Sequence, residues 1–110
     1  MQCAQFIFKP GTYDTEFHEL DEAIAVFARS LPGFVGNETW LSADGERRNA
    51  IYYFEDEASL KELARFDLHR VAKKKNQKWY DGHVVVVSEV SHHYGDGRIP
   101  HVLRDRAESA

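Results

Sequence analysis

With one cysteine, Cys3, in 110 residues, the chain cannot form an intrachain disulfide, which fits a reducing compartment. No apolar stretch approaches the ~20 residues needed to cross a bilayer. The N-terminus lacks the basic stretch and apolar run of a signal peptide. These absences point to a soluble, cytoplasmic chain with no membrane partner. Basic charge is also scarce, with 14 Lys and Arg against 18 Asp and Glu, a net charge of −4. Nucleic-acid binders present a dominant basic face, so none is expected as a partner. Walker loop, dinucleotide fingerprint, paired-cysteine zinc site, His-Glu-x-x-His and G-x-S-x-G elbow are all missing. Gly95-Asp96-Gly97 is too short for a phosphate loop. No cofactor is therefore suggested by motif.

What the chain does contain is an ordinary globular balance, 43% apolar and 29% charged. Cys3 to Lys9 reads as a strand through Phe6, Ile7 and Phe8, stopped by Pro10-Gly11. Asp14 or Thr15 caps a helix in which Phe17, Leu20, Ile24, Phe27 and Leu31 form one apolar stripe. Val35–Ser42 and Asn49–Glu55 read as a hairpin across Ala43-Asp44-Gly45-Glu46. Asp56 caps a helix through Arg65, and Asp67 restarts it through Lys75. His83–Val90 is a last strand, whose Val84–Val87 run predicts burial on both faces. The order strand, helix, strand, strand, helix, strand predicts an α+β, ferredoxin-like βαββαβ domain with a four-stranded antiparallel sheet over residues 1–93. Residues 94–110 read as an arm and a polar, mobile tail. One sheet face takes the helices. The other would stay apolar and exposed, and a second copy is the simplest cover, so a homodimer is expected.

Chemistry must then rest on aromatic and histidine side chains. Trp40, Tyr52, Tyr53, Trp79 and Tyr80 lie on the hairpin or before the last strand; for each the plain alternative is core packing. Tyr52 and Tyr53 point to opposite faces, one toward the helices. His69, mid-helix, either faces the sheet near Tyr53 or Trp79 and accepts a proton from a phenolic substrate, or is a satisfied structural histidine. His18 either shares that cavity or stays half-exposed. His92, His93, Asp96 and His101 suggest a metal only weakly, because adjacent extended histidines point apart. Lys73-Lys74-Lys75 with Arg70 and Lys78 reads as a solvated helix face. Cys3 reads as a packed, inert thiol.

The layout resembles the antibiotic biosynthesis monooxygenase superfamily, the dimeric α/β-barrel proteins. The residues that carry the resemblance are the Phe17–Leu31 helix, Leu31-Pro32-Gly33-Phe34-Val35-Gly36, the strand ending in Trp40, the Asn49–Phe54 strand, Leu68-His69-Arg70-Val71-Ala72-Lys73, Trp79-Tyr80 and the valine-rich strand. Together they span roughly residues 3–90. The resemblance implies a cofactor-independent monooxygenase that oxidises an aromatic or polyketide-like small molecule with O2. His69 and Tyr53 would be its catalytic pair, and Trp40, Trp79, His18 and Tyr80 would bind the substrate. The alternative is a non-catalytic module binding a small molecule or haem. The haem-degrading branch carries an Asn on the first strand and a Trp ten residues before its His. Here Cys3–Lys9 has no Asn, and Ser59 stands ten residues before His69.

Overall fold

The computed structural model describes residues 1–10, 15–74 and 80–103; the side chains of 10, 15–18, 20, 67–74, 80 and 81 lie outside that description. The elements are β1 (Gln2–Pro10), α1 (Thr15–Ser30), β2 (Phe34–Leu41), β3 (Arg48–Phe54), α2 (Glu57–Lys74) and β4 (Tyr80–Glu89). They build a four-stranded sheet in the order β2-β3-β1-β4. Every neighbouring pair is antiparallel. This is the expected ferredoxin-like α+β arrangement. Two details differ from the sequence reading. The second helix runs unbroken past Asp67 to Lys74, and the last strand begins at Tyr80, ahead of Gly82.

Alternation along the strands sorts side chains onto two faces. Ala4, Phe6, Tyr52 and Phe54 share one core with Ile24 and Ala28 of α1 and Leu60 and Leu63 of α2. Phe54 and Leu63 are fully buried there. A side chain of that size contributes about 1.5–3 kcal/mol by leaving water. Between the helices Phe27 stacks on Phe66 at 4.6 Å, and on the sheet Phe6 meets Tyr52 edge-on at 5.8 Å. The i, i+3, i+4 spacing of Ile24, Phe27, Ala28 and Leu31 is what turns this stripe of α1 inward.

A polar knot fixes where α2 begins. Asp56 Oδ1 accepts the Ser59 amide at 2.7 Å, an N-cap, and Ser59 Oγ accepts the Gly33 amide at 3.0 Å. Residue 33 must be small because a Cβ there would stand 2.6 Å from Asp56 Oδ2. The turn after α1 is thereby tied to the start of α2. We expect Gly33→Ala and Asp56→Ala each to cost about 1 kcal/mol in urea unfolding through the same cap, with the double variant costing less than the sum.

Candidate functional site

The register separates residues that the sequence reading had placed in one cavity. Gly36, Glu38 and Trp40 of β2 share a face with Tyr53, Ile51 and Asn49 of β3. Cys3, Gln5 and Ile7 of β1 continue that face to Ser88, Val86 and Val84 of β4. It lies opposite the helices. Tyr52, not Tyr53, belongs to the core beneath α1 and α2. Trp40 and Tyr53 therefore do not sit between sheet and helices with α2, and the expected grouping of both with His69 is corrected. For Tyr53 the reason is the register of β3 on β1, which sets Tyr53 opposite Cys3 and Tyr52 opposite the core residue Ala4; for Trp40 it is a bulge in β2. Phe34 pairs with Phe54 but Gly36 with Tyr53, so one extra residue puts Phe34 on the helix side and Gly36 on the open side. The backbones of His18 and His69 lie in α1 and α2 and that of Tyr80 opens β4, but their side chains fall outside the described residues, as does the whole of Trp79. Lys73, Lys74 and Lys75 fall outside in the same sense.

The open face carries a polar centre that the sequence reading missed. Glu38 Oε1 accepts the Trp40 indole N–H at 2.6 Å, and Glu38 Oε2 accepts the Tyr53 hydroxyl at 2.9 Å. His101, 63 residues away in sequence, brings Nε2 to 2.5 Å from the same Oε2. Its Nδ1 accepts the Leu103 amide at 3.1 Å. That pattern assigns the proton to Nε2, making His101 the donor to Glu38. Both ring nitrogens are engaged, so the imidazole fastens this part of the chain to β2. The His101 ring also meets Tyr53 edge-on at 6.0 Å.

Burial pushes the Glu38 carboxyl up, but hydrogen bonds from Trp40 and Tyr53 and the neighbouring His101 outweigh it, leaving it below the ordinary glutamate range. Burial and the Glu38 carboxylate hold the Tyr53 hydroxyl well above the usual tyrosine range. Tyr53 thus stays a protonated donor committed to Glu38. Burial likewise raises the Cys3 thiol, which is buried and reduced. Among the described residues no group of three His, Cys, Asp or Glu side chains is placed to hold a metal ion.

The helix side of β4 is a second feature. Val85 and Val87 pair with Phe6 and Ala4 and face the helices. Yet all of Val84–Val87 are between 40% and 52% exposed, whereas Ala4 and Phe6 are buried. The expected burial of this run on both faces does not occur within one chain, because β4 is an edge strand. The result is an apolar strip open on the side of the sheet that carries α2.

In fold the molecule is similar to solved structures that include an antibiotic biosynthesis monooxygenase, at a TM-score of 0.57 and 14% identity over 84% of this chain and 100% of that one. A mutant of SnoaB from Streptomyces nogalater, a cofactor-independent oxygenase, superposes with a TM-score of 0.65 at 17% identity, over 84% of this chain and 94% of that one. Rv0793 from Mycobacterium tuberculosis matches with a TM-score of 0.65 at 16% identity, over 86% and 98%. A mutant of MhuD with two manganese protoporphyrin IX bound per active site matches at 0.59 and 17%, over 86% and 99%. No family model and no curated protein matches the sequence. No helix among the described residues is long and apolar enough to cross a membrane.

Because the Glu38 carboxyl is held below its ordinary value, its contribution to stability is complete above about pH 4.3 and is lost as pH falls through the lower folded value. We expect urea midpoints measured from pH 7 to pH 3 to fall less steeply for Glu38→Gln than for the native chain over that acid range.

Proposed function

We propose that the protein is a cofactor-independent monooxygenase acting on an aromatic or polyketide-like small molecule, working as a homodimer. The observation that carries this reading is the apolar strip of Val85 and Val87, accessible on the helix side of β4. Helix α2 packs on the same side of the sheet through Leu60 and Leu63, and His69 lies further along that helix. A flat apolar substrate fits such a floor, and His69 is the proposed proton acceptor. For an anthrone, His69 takes a proton from the ring methylene. The resulting carbanion reduces O2, one oxygen atom becomes the new carbonyl and the other leaves as water. No external reductant is needed. His18, Trp79 and Tyr80 are the proposed substrate-binding residues. Trp40 and Tyr53, on the opposite face, are left out of the chemistry in this reading.

The same fold in MhuD suggests a second reading, a haem-binding module. The residues present fit haem poorly. The β1 side chains that face the helices are Ala4, Phe6 and Phe8, all buried, the first two in the apolar core and Phe8 under the Arg48 guanidinium, and Gln2–Pro10 contains no Asn.

The dimer is proposed through the open face. Val84, Val86 and Trp40 are exposed there, beside Ile7 and Ile51. Their cover by a second copy would remove apolar side chains from water on a face where Asn49 and Gln5 are already paired with each other at 2.8 Å. Sedimentation at micromolar concentration should give a dimer, and Val86→Glu should give a folded monomer; a native monomer would count against this part.

Oxygen uptake with anthrones and hydroquinones tests the activity. Turnover should fall about 10²- to 10⁴-fold in His69→Ala and remain near native in Tyr53→Phe. Tight binding of these ligands or of haem with no oxygen uptake would favour the non-catalytic module.

A further inference from the structure

We infer that residues 90–103 form a strap, latched in cis by the Glu38–His101 contact, which shields the Cys3–Tyr53 end of the open sheet face and opens independently of the core.

Both ends of the strap are anchored. It leaves β4 where the Val90 amide donates to the Met1 carbonyl at 2.9 Å, at the β1–β4 side of the sheet. It reaches β2, the opposite edge, where His101 meets Glu38 and Val102 lies over Gly36. To connect these points the chain must pass the row formed by Ser88, Cys3, Tyr53 and Gly36. A turn within this crossing is set by Asp96 Oδ1, which accepts the Arg98 amide at 3.0 Å, with Gly97 at a φ of 79°. The Gly36 contact is close enough to dictate the residue. A Cβ there would stand 2.8 Å from Val102 Cβ.

Burial agrees with this path. Leu103 is 5% exposed although it lies at the end of the described chain. Cys3 is buried on a face where Gln5 and Ile7 of the same strand are only half-buried. Between the anchors the strap has little else to hold it. Tyr94 and Ile99 are exposed, and the Arg98–Asp96 pair is solvent-facing at 3.7 Å. Among the described residues the latch is therefore concentrated in one charge-assisted hydrogen bond, the His101–Tyr53 ring contact and two apolar side chains, and the core cluster on the other face contains no strap residue. Segments with few buried contacts open at lower free energy than the core. A strap held this way can detach while the sheet stays folded.

The chain's single cysteine reports on the state of the strap. Alkylation of native protein by iodoacetamide should be slow, and His101→Ala should speed it roughly tenfold or more, the loss expected for a hydrogen bond to a charged group. His101→Gln, which keeps a donor near the Nε2 position, should restore part of the protection. Far-ultraviolet circular dichroism and the urea midpoint check that each variant is folded. An unchanged alkylation rate in folded His101→Ala would overturn the proposal. Amide exchange on the native chain gives a result that does not depend on any variant. The Leu103 amide should exchange well before the amides of β1 and β3, and exchange of Leu103 only by global unfolding would also overturn it. Neither readout depends on oxygenase activity, and repeating both in Val86→Glu removes any cover given by a second copy.

Discussion

The register of β1 between β3 and β4 is the constraint on which the rest depends. Alternation has a period of two, so a slip by one residue would exchange the faces of the whole strand. The pairings Ala4–Tyr52 and Ala4–Val87 place small and large apolar groups together under the helices. The same register sends Cys3, Gln5 and Ile7 to the other side. One face thus becomes a closed core against α1 and α2, with an open margin along β4. The other becomes a mixed surface with a carboxylate at one side and valines at the other. Site, strap and docking face are consequences of this division.

The open face holds an ionised group where an apolar contact would have been simpler. A carboxylate with little exposure is costly unless its lone pairs are used. Glu38 uses them on Trp40, Tyr53 and His101, from three separate stretches of the chain. The arrangement orients the Trp40 ring, keeps the Tyr53 hydroxyl protonated and draws the strap back onto β2. The strap takes one end of the face and leaves Ile7, Ile51, Val84, Val86 and Trp40 beyond it.

Local patterns carried most of the fold. The stripe of Ile24, Phe27 and Leu31, the Asp56 cap and the Asp44-Gly45 turn each depend on neighbours within a few residues, and all were legible. So was the element order. The placement of Tyr53 was not, because Tyr52, Tyr53 and Phe54 are all bulky and strand-favouring and hide the alternation. The β2 bulge was equally hidden. Phe34, Gly36, Glu38 and Trp40 share one parity, yet only the last three share a face. The link from Glu38 to His101 spans most of the chain, and no periodicity encodes it. Gly36 offered a weak signal, a small residue within a strand, which often marks the close approach of another backbone or side chain. The valine run was read as doubly buried because composition alone does not distinguish an edge strand from a central one.

The division into two faces is tested most directly by nuclear Overhauser contacts among the aromatic rings. The Tyr52 ring should show contacts to Phe6, whose centroid lies 5.8 Å away, and the Tyr53 ring to His101 at 6.0 Å. Contacts from Tyr53 to Phe6, with Tyr52 facing His101, would reverse the faces and contradict the account.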